Sequence, residues 1–215
     1  MPSNHQAKQD PPLPWSAFLD ELDQALSEPI ALHCIGGFVV SLLYGFPRPT
    51  GDIDYISAIP RRRLQQLEDL GGRGSELEAK YKVHLQHVTV ATMPEDYEAR
   101  LREMFPLRFK KLRLLAPDAY DLVLSKLERN SPKDQGDVEY LAKTVPLDPK
   151  VLQERYAQEL RPKCHGTPDL ARRHPESVDR SVLFEQSIAL FYFDRRHAVP
   201  TVRHVPDGTV PEAEA

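Results

Sequence analysis

Cysteine is scarce in this chain, with only Cys34 and Cys164 among 215 residues. The two form no CxxC pair or other metal-ligand spacing, which excludes a cysteine-built zinc site. Cys34 lies inside the apolar run Ile30–Ile35, so a buried free thiol is expected there rather than a nucleophile. Long apolar runs are missing too, none approaching the roughly 20 residues that a membrane-spanning helix requires. The opening stretch, MPSNHQAKQDPPLPW, lacks the basic-then-apolar order of a secretory leader, and the expectation is a cytoplasmic protein with no membrane partner. Nor is there an excess of positive charge. The formal net charge is -4, which argues against a protein that coats nucleic acid nonspecifically. Neither a GxGxxG loop nor a Walker A loop occurs, which removes two familiar phosphate cradles.

What is present reads as a soluble chain long enough to bury a real core. Residues 1–14 are polar and proline-rich and are expected to be a disordered tail. From Trp15 the apolar residues Phe18, Leu19, Leu22 and Leu26 fall at helix spacing, and Pro29 ends that helix. Ile30–Ile35 reads as a buried strand, Gly36-Gly37 as a tight turn and Phe38–Gly45 as a buried helix. Pro47 and Pro49 exclude regular structure before a strand at Asp52–Ala58. A helix from near Pro60 stops at Gly71-Gly72. Residues 82–91 look β-rich, 94–104 helical and 109–115 a strand. Helices then follow over 117–129, from the cap Ser131-Pro132-Lys133-Asp134 onward, over 147–160 and over 180–195, with a loop at 164–175. The expected fold class is α/β (α+β): a small mixed β-sheet with flanking helices over 15–115, then a helical C-terminal subdomain over 116–197 and a tail from 198.

The chemistry concentrates in IALHCIGGFVVSLLYGFPRPTGDIDYIS, residues 30–57. Side chains alternate along a strand, so Asp52 and Asp54 share one side while Ile53 and Tyr55 take the other. Two adjacent carboxylates repel unless a cation lies between them, and hard oxygen ligands suit Mg²⁺, which borrows further ligands from substrate phosphates. A glycine turn opening a helix supplies backbone N–H groups that favour phosphate oxygens. A lone DxD or a lone Gly-Gly is expected by chance. Their order, with Arg48 and Thr50 just before the aspartates, is more specific.

Gly36-Gly37, an apolar helix and then Arg48-Pro-Thr-Gly-Asp52-Ile-Asp54 together resemble the signature of the nucleotidyltransferase superfamily that includes DNA polymerase beta. The segment DLVLSKLERNSPKDQGDVEYLA, residues 121–142, resembles the second motif block of AbiEii-type and related uncharacterised nucleotidyltransferase-like bacterial proteins. The resemblance covers about residues 30–145 and implies a nucleotidyltransferase fold acting on a nucleoside triphosphate. It implies that Gly36 and Gly37 cradle the triphosphate, that Asp52 and Asp54 bind Mg²⁺, and that Arg48 and Thr50 support the site or touch phosphate. Lys126, and Lys133 with Asp134 and Asp137, would approach the nucleotide from the helical side. Capping alone would equally account for Asp134. The acceptor implied is a hydroxyl of RNA, protein or a small molecule, and a toxin-like role with an antitoxin partner is one form the resemblance allows.

The superfamily usually carries a third carboxylate on a later strand, and the corresponding segment here, KVHLQHVTVATM, has no acid. His84 or His87 could serve as a base, because imidazole titrates near neutral pH, or be hydrogen-bonded structural residues. Two functions therefore stay open: an active nucleotidyltransferase, or a nucleotide-binding or regulatory module of the same fold. Arg100, Arg102, Arg108, Lys110, Lys111 and Arg113 form a basic segment that either lines a phosphate groove or is a solvated face balanced by acids elsewhere.

Overall fold

The structure is a computed structural model that describes residues 10–160. Most of the expected N-terminal tail, the loop at 164–175, the helix at 180–195 and the C-terminal tail lie outside these residues. The described end of the tail is seated on the domain: Pro11 is buried and Asp10 pairs with Arg108 Nε at 2.8 Å.

Five strands form one mixed sheet in the order β3-β2-β1-β5-β4. They are β1 (Ile30–Ile35), β2 (Asp52–Ile59), β3 (His84–His87), β4 (Arg102–Glu103) and β5 (Leu112–Ala116). β1 is central, antiparallel to β2 and parallel to β5, and its near-continuous burial is what an interior strand requires. β2 shows the alternation read from its sequence, with Ile53 and Tyr55 fully buried and Asp52 and Asp54 partly exposed. Opposite β2, His33 pairs with Ser57 but Cys34 with Tyr55, which leaves Ile56 as the extra residue of a β-bulge.

One face of the sheet is covered by α1 (Trp15–Ala25), α2 (Gly36–Tyr44), α3 (Leu64–Gly71) and α4 (Glu76–Tyr81). Trp15 meets Phe38 edge-on at 4.9 Å, Phe18 meets Tyr81 at 6.4 Å, and Leu22 and Leu85 converge on Gly71. Asp23 on α1 accepts the backbone N–H groups of Lys110, Lys111 and Leu112, tying the start of β5 to this layer. A fifth to a seventh helix follow: α5 (Ala119–Arg129), α6 (Pro132–Thr144) and α7 (Pro149–Arg155), the last continuing as a π-helical turn over Tyr156–Leu160. Leu122, Leu124, Leu141 and Leu152 belong to the same hydrophobic cluster as Leu32, Leu112 and Leu114, so these helices share a core with the sheet.

Three local expectations change. The β-rich stretch 82–91 yields only the four residues of β3. The helix expected over 94–104 is instead a 3₁₀ turn, Tyr97–Arg100, followed by β4. β5 leaves an edge on which Arg102–Glu103 can pair, with Met104 N–H donating to Leu114 O at 2.8 Å, and this tertiary pairing overrides local helix preference. α4 is a helix the sequence reading lacks, although Ser75 accepts from Glu78 N–H as its N-cap and the Ser-x-x-Glu spacing is a capping signature.

Candidate functional site

The site begins where β1 hands over to α2. Gly36, the first residue of α2, has φ +76°, and a Cβ there would fall 3.0 Å from Asp54 Cβ and Cγ and closer still to Oδ2. Only glycine adopts that backbone readily and leaves room for the carboxylate. A Cβ at Gly37 would lie 2.7 Å from Arg48 Nη2 and 3.5 Å from Thr50 Oγ1. Ile35, the N-cap, gives no side-chain hydrogen bond to the N-terminus of α2. The two glycines, Arg48, Thr50 and Asp54 are therefore brought together.

Thr50 Oγ1 donates to Asp52 Oδ1 at 2.8 Å and orients that carboxylate. Asp54 has no side-chain hydrogen-bond donor among the described residues, and it is pushed up to about 6, first by burial and then by the negative charge of Asp52. Arg129, Lys126 and His84 pull in the opposite direction. A pair of carboxylates in which one resists ionisation is a place where a bound cation would be stabilised.

Lys126 is buried, with Nζ 2.5 Å from Asp137 Oδ2 and 3.5 Å from Asp134 Oδ1. Arg129 donates to both oxygens of Asp134, through Nε at 2.7 Å and Nη2 at 2.5 Å. Asp134 also completes the capping box of α6 with Ser131, as its position in the sequence predicts. Burial pushes Asp134 upward, but the Arg129 and Ser131 hydrogen bonds and the Lys126 charge outweigh it and hold the carboxyl at about 2. Asp137 Oδ2 accepts from Arg48 Nη2 at 2.8 Å, while Asp137 Oδ1 and Arg48 Nε are buried without a hydrogen-bond partner among the described residues. Lys126 thus faces two aspartates from inside the helical layer, and Lys133 is exposed on the first turn of α6. Arg129, which the sequence reading does not single out, acts on Asp54. Its signal is the three-residue spacing from Lys126, which puts both on one side of α5.

β3 runs parallel to β2, with His84 opposite Asp52 and Gln86 opposite Asp54. An exposed glutamine therefore neighbours Asp54 where a third acid would be expected. The described residues contain no group of three or more His, Cys, Asp or Glu that could hold a metal ion. His84 is buried, with Nε2 3.3 Å from Arg73 Nη2 and Nδ1 3.2 Å from Glu78 Oε1. Arginine can only donate, so Nε2 is its acceptor and both ring nitrogens are engaged. His87 alternates to the helix-covered face, stacked on Tyr55 at 5.2 Å.

The basic segment is largely engaged within the fold. Arg100 pairs with Asp121 and Glu159, Arg108 with Asp10 and Asp20, and Arg113 with Glu103, while Lys111 Nζ reaches the carbonyls of Gln24 and Leu26. The balanced alternative describes it better than a phosphate groove. No helix among the described residues is long and apolar enough to cross a membrane.

A mixed sheet whose second strand sets two aspartates against a glycine turn defines a nucleotidyltransferase-like α/β domain. The chain belongs to the family described as "Nucleotidyltransferase of unknown function (DUF6036)", whose model matches residues 17–167 and so takes in both the sheet and the helices α5–α7. A search of the curated proteins gives no match, and neither does a search of the solved structures.

Proposed function

We propose that this protein transfers a nucleoside monophosphate from a nucleoside triphosphate to a hydroxyl group, with Mg²⁺ held by Asp52 and Asp54. The observation that carries the reading is the contact of Asp54 with Gly36, which sets the carboxylates directly beside the N-terminus of α2. Phosphate oxygens received by the amides of Gly36 and Gly37 lie next to the metal-binding side chains. The donor set fits Mg²⁺: two hard carboxylates on a strand, one raised first by burial and then by the other's charge, with the remaining ligands left to phosphate oxygens and water. When bound, the ion supplies charge stabilisation at the phosphorus under attack.

The chain's own residues have separable roles. Thr50 fixes the Asp52 carboxylate. Arg48, held by Asp137 and close to Gly37, offers its remaining donors to phosphate. Lys126 and Arg129 offset negative charge around Asp54, with Asp134 and Asp137 holding them in place, and Lys133 is a further cation for the triphosphate. His84 lies beside Asp52 with both ring nitrogens engaged and offers no free one as a base, and His87 supports the strand from its other face.

One observation favours a second reading. Gln86 beside Asp54 can neither bind metal firmly nor take a proton, which suits a module that holds a nucleotide without chemistry. One experiment separates the two: pyrophosphate release from each NTP with Mg²⁺ and a panel of hydroxyl acceptors. The transfer reading expects release that Asp52→Asn or Asp54→Asn abolishes while circular dichroism stays unchanged. Nucleotide binding without release from any combination establishes the module instead, and release surviving both substitutions would sink the site assignment.

A further inference from the structure

Beyond the carboxylate pair, a cleft of about 430 Å³ opens past the ends of β2 and β3. Its lining includes Ile56, Arg61, Thr89, Thr92, Met93 and Tyr97. Ile35 pairs with Asp54, and His33, two residues before Ile35 on β1, takes the same side of the sheet and meets Tyr97 of the lining at 3.2 Å. The cleft is thus continuous with the face that carries Asp52 and Asp54, and its volume falls in the range of small-ligand sites, about 300–1,000 Å³.

Two features give the cleft chemical character. Arg62 and Arg63 both pair with Glu28, whereas Arg61 is exposed and forms no ion pair with a described residue. Arg61 is therefore a cation at the cleft whose charge no described carboxylate takes up. The aromatic wall is anchored from the sheet. His33 on β1 is 3% exposed, and its Nδ1 lies 3.2 Å from Tyr97 Oη, which donates to Glu98 Oε1 at 3.3 Å. With the tyrosine proton directed to Glu98, Oη accepts from His33, and Nδ1 carries the imidazole proton. Burial lowers the basicity of His33, which keeps it neutral in this role despite the opposing charge of Glu98.

We infer that this cleft receives the acceptor, a small hydroxyl compound bearing one anionic group, with the anion on Arg61 and the body between Met93 and Tyr97. The inference rests on the nucleotidyl-transfer reading of Asp52 and Asp54. The acceptor oxygen bonds to the α-phosphorus of the triphosphate, the α–β bridging P–O bond breaks, pyrophosphate leaves with the electron pair, and the hydroxyl proton is released to solvent. A polyanionic RNA acceptor would need a run of uncommitted cations, and Arg100, Arg108, Lys111 and Arg113 are engaged elsewhere. Arg61 beside threonines, an aromatic ring and apolar walls fits a single anionic group on a small body.

The test begins with binding by the full chain, using glycerol 3-phosphate as the probe and glycerol as its neutral counterpart in titration calorimetry. Arg61→Gln should weaken glycerol 3-phosphate by about tenfold or more, with Lys110→Gln, another exposed cation, serving as the control that leaves it unchanged. Absence of glycerol 3-phosphate binding, or equal binding by wild type and Arg61→Gln, would overturn the inference whether or not the protein is active. A second arm offers α-labelled NTPs with Mg²⁺ and either glycerol 3-phosphate, tRNA or casein. Label on glycerol 3-phosphate, with KM for that acceptor raised in Arg61→Gln, supports the cleft. Label on tRNA or casein that is indifferent to Arg61→Gln overturns the acceptor class but leaves the transfer reading standing. No label on any acceptor counts against the transfer reading, and with it against the acceptor role.

Discussion

Arg48 Nη2 lies 2.8 Å from Asp137 Oδ2, a hydrogen-bonded ion pair between residues 89 apart in sequence. It joins the proline-rich segment before β2 to α6, and the same aspartate oxygen receives Lys126 at 2.5 Å. The loop that leads into the carboxylate pair is therefore positioned by the helical layer. Removing Asp137 takes the carboxylate from Arg48 and leaves buried Lys126 with only the longer 3.5 Å contact to Asp134. Asp137→Ala should destabilise the fold by about 3–5 kcal/mol in urea denaturation, since breaking a buried pair leaves uncompensated charge. The Arg48→Ala/Asp137→Ala double mutant should be less destabilised than the two single changes summed, giving a coupling of about 1–3 kcal/mol.

The raised Asp54 gives stability a pH dependence of definite sign. Its folded value of about 6 lies above the ordinary carboxylate value, so the folded state binds this proton more tightly than the unfolded chain does. Stability from this group is present at low pH and falls as pH rises through about 4 to 6, then stays level. Asp54→Asn removes the unfavourable charge. Its Tm should exceed that of wild type at pH 8, with an advantage worth roughly 1–3 kcal/mol that shrinks towards pH 4. Mg²⁺ should raise the wild-type Tm at pH 8 more than that of the variant.

Two glycine substitutions should move in opposite directions. Gly36→Ala places a methyl against the Asp54 carboxylate in a left-handed backbone, so it should destabilise by more than about 1 kcal/mol and lose triphosphate binding. Gly136 lies inside α6 with nothing within 4 Å of the position a Cβ would take, so Gly136→Ala should stabilise by about 0.5–1 kcal/mol. Thermal melts of both variants check this pair, and a loss of stability in Gly136→Ala would count against the helix as described.

Gln86 supplies a gain-of-function test. It faces Asp54 across the β2–β3 ladder, and Gln86→Glu adds a carboxylate where only two are present. Mn²⁺ affinity, read by water-proton relaxation, should rise by about tenfold or more as a third hard ligand joins the pair. An unchanged affinity would place the metal away from the Asp54 side of the ladder.

Much of this architecture is legible in the chain itself. The alternation in Asp52-Ile-Asp54-Tyr55 puts both carboxylates on the partly exposed side of β2, and Ser131-Pro132-Lys133-Asp134 announces the start of α6. Both are local signals, set by backbone geometry over three or four residues. The helix expected at 94–104 fails because the free edge of β5, a non-local partner, pairs with Arg102–Glu103.

By itself, then, the amino-acid sequence determined the strand–glycine turn–helix order, the shared side of Asp52 and Asp54, and the caps of the later helices. Tertiary structure alone decided what surrounds the pair. Alternation along His84–His87 separates two sets of side chains but does not say which set faces Asp54; pairing with β2 placed Gln86 beside it and sent His87 to Tyr55. The same holds for charge. Arg61, Arg62 and Arg63 look alike in sequence, and only the fold brings Glu28 to the last two and leaves Arg61 at the cleft. Likewise Asp121, Glu159, Asp20 and Glu103 reach Arg100, Arg108 and Arg113 only through the fold. Hydrogen-bond register and ion pairing are long-range relations, and no local period encodes them.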